Sequence, residues 1–377
     1  MIQIRLLWPK TTQVLIYDEL GETFLRKAVP NSCAVEVLPI RDRLPITFRF
    51  SFLIRCLVNY VHQKLSPRQA YFSALIDQYK PRVVITFIDS NNSVLGAYAQ
   101  HHSDVLVIAI QNGIRSELSV ANQGSLAPIY FGLGDVTKEL FEKANVSCQR
   151  IESVGSMLLG IYLAENSFGQ EEYDLVFVSS YRATWDVQNN KYHRALLDAH
   201  QIVFRHLLRY AQLHRKRILV LTKGKVLNEG EYCAEEDEFY RQLANGAEYT
   251  LISTVKDTFT AYRIALNASL LIAVDSTLAY EVLSVGRKII LGWGTNSYLK
   301  SAAVRYTKYL SDNVVLTNGS YEEFHEKVTM LINLSQEDYE ITIEEYRSKY
   351  LNQDINSPPH LVIEREIRRH IEQDNLI

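Results

Sequence analysis

The chain has 377 residues, 47% hydrophobic and 22% charged, with 40 Lys and Arg against 43 Asp and Glu for a formal charge of -3. These are the proportions of a folded globular protein and exclude a disordered or fibrous chain, and at roughly 100–200 residues per domain the length predicts two domains. The near balance of charge excludes the clustered Lys and Arg that neutralise nucleic-acid phosphates, so no nucleic-acid partner is expected.

Val14 to Tyr17 and Val35 to Ile40 read as short strands on either side of a helical stretch near Glu19 to Ala28, the start of a βαβ pattern. Phe52 to Leu65 and Arg68 to Tyr79 carry apolar residues at helical spacing. The runs RVVITFI (82–88) and VLVIAI (105–110), with a helix near Ser93 to His101 between them, are continuously apolar, as parallel strands covered on both faces are. A strand at Pro128 to Phe131, a helix at Val136 to Asn145 and a strand at Ile151 to Val154 follow. The polar stretch ENSFGQEE (165–172) predicts a domain boundary. Beyond it, strands at Asp174 to Val178, Arg217 to Thr222, Tyr249 to Ile252, Leu270 to Val274, Lys288 to Gly292 and Asn313 to Leu316 are predicted. Helices at Tyr192 to Gln212, Glu235 to Ala244, Thr258 to Asn267 and Thr277 to Val285 alternate with them, and residues 321–334 and 337–350 read as helices. The predicted class is therefore α/β, with two Rossmann-like doubly wound domains at 1–164 and 173–357 facing a cleft. Residues 358–377 form a third segment, whose amphipathic stretch Leu361 to Gln373 is expected to return and brace both domains.

In open parallel sheets a ligand sits beyond the carboxyl ends of the strands, so residues just after each apolar run are the candidates. The strongest set is Asp275-Ser276-Thr277, with Glu281 one turn further on: a helix start whose free N–H groups and dipole favour an anion. Asp89-Ser90-Asn91-Asn92 follows the first long run; Asp89 there can deprotonate a hydroxyl or stabilise developing positive charge, and can equally be a helix cap. Gln111-Asn112-Gly113-Ile114-Arg115 follows the second, with Asn-Gly as a turn and Arg115 as a cation able to hold a carboxylate or phosphate. Ser179, Ser180 and Arg182 after one strand and Lys223 after the next add hydroxyls and cations for a phosphate.

The segment LLIAVDSTLAYEVLSVGRKIILGW (270–293) resembles the S-T-x-x-x-E region of bacterial surface-polysaccharide glycosyltransferases, including the Kdo-transferase type that uses CMP-activated sugar. YFGLGDVTKELFEKANVSCQRIESVGSMLLG (130–160) is similar to the end of the N-terminal domain in GT-B enzymes and in UDP-GlcNAc 2-epimerases. Together with ITFIDSNN, AIQNGIR and E-x-x-E-F-Y, the set looks most like surface carbohydrate biosynthesis proteins over roughly residues 80–295. The resemblance implies a GT-B fold and transfer of a sugar from a nucleotide donor, CMP-linked as first choice, to a polysaccharide or glycolipid acceptor. It places Ser276 and Thr277, with Ser179, Ser180, Arg182 and Lys223, on the donor phosphate and Glu281 on its nucleotide. Asp89 is then the catalytic candidate, and Asn91, Asn92, Gln111, Asn112 and Arg115 face acceptor or sugar. A 2-epimerase is the alternative, but its D-S-G-G-x-x-E-E pattern loses both glycines here. A non-catalytic sugar-nucleotide-binding subunit is a third.

No P-loop, GxGxxG, GxSxG or HExxH pattern occurs, and no metal or other cofactor is expected. Cys33, Cys56, Cys148 and Cys233 lie far apart and read as thiols of a reducing compartment. With no leader pattern and no 18-residue apolar run, a cytoplasmic location is expected. Residues 41–70 carry six basic residues against Asp42 alone, interleaved with aromatics, so contact with the inner face of the membrane is a further expectation.

Overall fold

A computed structural model of the chain describes residues 3–41, 43–89, 93–115, 120, 128–182, 185–222, 234–254, 258–301 and 310–373. Thirteen strands lie among them: β1 (Gln3–Leu6), β2 (Val14–Tyr17), β3 (Val35–Leu38), β4 (Arg43–Ile46), β5 (Val83–Thr86), β6 (Leu106–Ile110), β7 (Ile129–Gly132), β8 (Arg150–Ser153), β9 (Tyr173–Val178), β10 (Ile218–Thr222), β11 (Thr250–Ser253), β12 (Ala268–Ala273) and β13 (Ile289–Leu291). The chain divides into two units, residues 1–164 with 352–377 and residues 165–351.

The first unit is built on a six-stranded parallel sheet in the order β3-β2-β5-β6-β7-β8. All four residues of β2, β5 and β7 are buried, which is why these strands read as unbroken apolar runs. The second unit holds a five-stranded parallel sheet in the order β11-β10-β9-β12-β13, again with buried central strands such as Leu175–Val178 and Leu270–Ala273. In the first sheet the order reverses between β2 and β5, in the second between β9 and β12. Those two crevices are where helices depart to opposite faces, leaving room for a ligand at the carboxyl ends.

Several elements differ from the reading of the sequence, among them the helices Met157–Glu165 and Ser297–Ser301, which were not expected. The helix expected at Glu19 to Ala28 is reduced to Glu22–Leu25 and a 3₁₀ turn at Arg26–Ala28, because Asp18 (φ 81°) and Gly21 (φ 73°) turn the chain through the left-handed region first. The strand expected at Asn313 to Leu316 is a 3₁₀ turn, Asp312–Val314, followed by a single bridge from Val315 to Leu291. A small parallel ladder, β1 with β4, was not expected; Pro45 within RLPI argues against a strand but is tolerated at an edge.

The C-terminal helix Pro359–Gln373 belongs to the first unit. Its buried stripe, Ile363, Ile367 and Ile371, recurs every fourth residue and packs toward the Arg26–Ala28 turn. The Val154-Gly155-Ser156 motif receives the returning chain. Gly155 is left-handed (φ 92°), and a Cβ there would lie 2.7 Å from Gln353 Oε1. The Ser156 N–H donates to that same Oε1 at 3.0 Å, and the Asn352 N–H donates to the Leu133 carbonyl at 2.7 Å.

Candidate functional site

In the second unit the crevice between β9 and β12 is tied across its mouth. Ser180, two residues past β9, donates its hydroxyl to the Asp275 carbonyl past β12 at 2.8 Å, and Tyr192 donates its hydroxyl to Asp275 Oδ2 at 3.4 Å. Ser276 then opens the helix Thr277–Ser284 from an extended N-cap (φ -151°, ψ 133°), and its side chain makes no capping bond. The start of this helix is the positive end of its dipole, set at the carboxyl edge of the sheet, which favours an anion. Glu281 lies one turn in, buried, with Oε1 accepting from the Tyr262 hydroxyl at 2.9 Å. The helix start therefore sets hydroxyls and main chain between two carboxylates, Asp275 at its mouth and Glu281 one turn in.

His200 holds this arrangement and went unrecognised in the sequence, where the helical histidines carry no motif. It is completely buried on the inner face of helix Lys191–His214, between Leu196 and Phe204. Its Nδ1 lies 2.9 Å from the Leu196 carbonyl and its Nε2 accepts from the Ser180 N–H at 3.0 Å, which fixes a neutral ring protonated at Nδ1. Burial lowers its pKa to about 4, so it stays neutral at physiological pH. The only sequence signal is its register: it recurs with Leu196, Ala199, Val203 and Leu207 on the buried face.

The other donor-side candidates are less open. Ser179 is buried and gives its hydroxyl to buried Glu236, while also accepting from the Tyr181 N–H at 3.1 Å. Its role is to hold the loop after β9. Arg182 is exposed. Lys223 lies outside the described residues. A surface cavity of about 560 Å³ near Tyr181 and Phe239 is lined by Glu235, Asp237 and Glu238, with Arg241 already paired to Asp237 and Glu238. That acidic lining repels phosphate.

In the first unit the strand ends carry charge, but the charges are spent on one another. Asp89 is fully buried past β5 and accepts from Arg115 at both oxygens, Nε to Oδ2 at 2.7 Å and Nη2 to Oδ1. The Tyr130 hydroxyl on β7 adds a third bond at 2.8 Å. Burial works against the Arg115 charge, yet the Asp89 carboxylate outweighs it and raises the Arg115 pKa. Burial, then the Asp89 charge, pushes Tyr130 far above its ordinary range. The Asp89 carboxylate is bound by a guanidinium fork and a phenol together. The expected roles of Asp89 as base and of Arg115 as an acceptor-binding cation thus become one role, a clamp across β5, β6 and β7.

Asn112 completes the clamp, donating to the Phe87 carbonyl at 2.6 Å and accepting from Arg115. Gln111 is buried and accepts from the Leu133 N–H and the Thr137 hydroxyl, each at 2.8 Å, while donating to the Gly113 carbonyl at 2.9 Å. It joins the ends of β6 and β7 instead of facing a ligand. Asn91 and Asn92 lie outside the described residues. Tyr130 had no signal beyond its place in an apolar run.

The crevice of the first sheet is marked by a residue the sequence did not single out. Asp18, just past β2, is buried and held at φ 81°, a conformation costly for a non-glycine residue. Its Oδ1 accepts from the Leu20 N–H at 2.7 Å and from Arg41 Nε at 3.2 Å. Opposite it, the Thr86 hydroxyl donates to the Tyr17 carbonyl at 3.0 Å and closes the floor between β2 and β5. Among the described residues no group of three or more His, Cys, Asp or Glu is placed to hold a metal ion.

Both units share their fold with sugar-nucleotide enzymes. The chain is similar to a UDP-GlcNAc 2-epimerase from Neisseria meningitidis bound to UDP-GlcNAc, at 11% identity and TM-score 0.52, covering 96% of this chain and 99% of that one. It is similar to S. aureus MnaA in complex with UDP, at 10% identity and TM-score 0.58, covering 97% and 98%. A wall teichoic acid polymerase, TagF, soaked with CDPG gives 10% identity and TM-score 0.52 over 96% and 90%. At these identities the likeness establishes a GT-B-like architecture of two parallel α/β domains. No curated protein matches the sequence. The family described as "putative O-antigen biosynthesis protein" matches residues 108–358, well over half of the chain, and the protein belongs to that family of polysaccharide biosynthesis proteins.

Proposed function

We propose that the protein is a glycosyltransferase that moves a sugar from a nucleotide-activated donor to a surface polysaccharide or glycolipid acceptor. The observation that carries this reading is the helix start at Ser276, uncapped by its side chain and set at the β9/β12 crevice. The first N–H groups of that helix, with the Ser276 and Thr277 hydroxyls, hold the donor phosphate and stabilise the departing nucleotide. Glu281, oriented by Tyr262, meets the nucleotide. No cofactor is required, because dipole and neutral donors carry the charge that develops on the leaving group. The CMP-linked acidic sugar remains our first donor, from the likeness of 270–293 to Kdo-type transferases, and the reaction is assigned to the cytoplasm, where nucleotide sugars are at hand.

On the acceptor side, Asp18 replaces Asp89 as the carboxylate we assign. Its described bonds engage one oxygen, its partner Arg41 is half exposed, and it stands at the crevice of its sheet. The 2-epimerase alternative is favoured by the full-length likeness to the Neisseria enzyme. Against it stand Thr277 and Leu278 where that pattern has its two glycines.

A thermal-shift screen of the purified chain against CMP, UDP, GDP, dTDP and ADP tests the reading, because a ligand of the native state alone raises the melting temperature. Stabilisation by CMP that is lost in Ser276→Ala supports a CMP-sugar transferase. Stabilisation by UDP, with epimerised product formed in the absence of any acceptor, supports the epimerase. No shift with any nucleotide overturns both.

A further inference from the structure

The helix Phe50–Val61 turns the usual amphipathic arrangement inside out. Only Phe52 and Asn59 are buried and Cys56 is half-buried, so the face toward the protein includes a polar amide. The outward face holds Phe50 (76% exposed), Leu53 (62%), Leu57 (63%) and Val61 (55%), flanked by Ile54, Val58 and Tyr60. At 100° per residue these seven fill an arc of about 160°. The same surface extends beyond the helix. Phe48 is 81% and Trp8 74% exposed, and Arg49 Nη2 donates to the Pro9 carbonyl at 2.7 Å, which ties the segment after β1 to the start of the helix. A contiguous apolar patch of this kind is a contact surface, unlike single exposed apolar residues.

The helix is firmly seated. Phe52 meets the Tyr71 ring edge-on at 5.2 Å, Asn59 donates to the Ala70 carbonyl at 3.4 Å, and Arg55 pairs with Asp77 at 3.0 Å, all on or beside the helix Pro67–Asp77. That partner helix has its own capping box from Ser66 and Gln69. The apolar arc is therefore presented by a fixed element.

We propose that this face docks the protein on an anionic lipid bilayer, with the helix lying in the plane of the membrane. A 12-residue helix is about 18 Å long, too short to span the hydrocarbon core, and no described helix is long and apolar enough to do so. Its length and polarity fit burial to the level of the headgroups. Trp8 and Tyr60 supply the aromatic groups that favour that level. The flanks select the occupant: Lys10, Arg49, Lys64 and Arg68 are all exposed, and residues 41–70 contain no acid but Asp42. Anionic headgroups neutralise that rim, whereas a second copy of the chain would bring two such rims together. The proposal needs neither a donor nor an acceptor and stands apart from the catalytic reading.

The test is flotation of the full chain with vesicles of phosphatidylcholine, alone or containing one quarter phosphatidylglycerol. Binding to the anionic vesicles, weakened by high salt and by Lys64→Glu with Arg68→Glu, is expected. The pair Leu53→Glu and Leu57→Glu, both exposed and so neutral to the melting temperature, is expected to lower partitioning by about a hundredfold. Trp8 emission should shift to the blue on vesicle binding, and the shift should vanish in Trp8→Phe. Equal partitioning of the Leu53/Leu57 variant, or no partitioning of the parent, overturns the proposal. So does self-association of the parent, abolished by the same pair of substitutions, without vesicle binding.

Discussion

At the strand ends of the first unit, Asp89 is consumed by Arg115 and Tyr130, and Asn112 and Gln111 are consumed by backbone groups. At those of the second unit the Ser276 side chain makes no capping bond, and the helix start is surrounded by hydroxyls and main chain, with Asp275 as the one adjoining carboxylate. Both sets occupy the position that parallel sheets reserve for ligands. The difference is one of desolvation: a buried ion pair is stable only when it is closed, whereas neutral N–H and O–H donors can wait in a crevice for an anion. Charge after a strand is thus a poor guide to a binding site unless its partner is also known.

The sharpest way to break this comparison is to open the clamp. Arg115→Ala removes the guanidinium from the buried Asp89 carboxylate, and it should cost about 3–5 kcal/mol in urea unfolding. Asp89→Leu combined with Arg115→Met should recover most of that loss, since the penalty lies in the unpaired charge. A cost below about 1 kcal/mol for Arg115→Ala would mean that Asp89 reaches water, and its role as a base would return.

The second unit has its own buried ionisable group, and here the pH dependence carries the test. The His200 pKa falls from 6.5 in the unfolded chain to about 4 in the fold, so between these values the unfolded state holds the extra proton. Stability from this group is complete above pH 6.5 and is lost as pH falls toward 4, by about 3 kcal/mol. His200→Gln can keep both hydrogen bonds without titrating. The difference between parent and variant should therefore shrink on acidification, as denaturant melts at a series of pH values would show.

Much of the fold was legible because parallel strands covered on both faces announce themselves: RVVITFI, VLVIAI and LLIAV are strands where expected. Strand order was not legible. The pairing of β2 with β5 and of β9 with β12, which creates the crevices, depends on which face each crossover helix covers, and no single segment encodes that. For the same reason the helix start at Ser276 was legible while the places of His200 and Asp18 were not. Ser276 announces a helix start by type and place, but His200 matters only because helix Lys191–His214 lays it against the loop after β9. Asp18 matters only because β2 ends at the reversal of its sheet.

Ser276→Asp separates the two properties that meet at the helix start. Aspartate is a good N-cap and complements the dipole, so the variant should be more stable than the parent by about 0.5–1 kcal/mol. The same carboxylate occupies the anion site, and nucleotide affinity should fall at least tenfold. Calorimetry beside thermal melts reads both. A stability gain with unchanged affinity would move the phosphate elsewhere.

Ser180→Ala is the finest of these tests. It removes the hydroxyl that donates to the Asp275 carbonyl while leaving the Ser180 N–H on His200. One lost hydrogen bond in a half-buried place should cost about 1 kcal/mol. If the tie between β9 and β12 sets the position of the helix start, nucleotide affinity should fall with it, and restoring the hydroxyl as Ser180→Thr should restore both. If affinity is unchanged, β12 alone positions Ser276, and the crevice is rigid without the bond across its mouth.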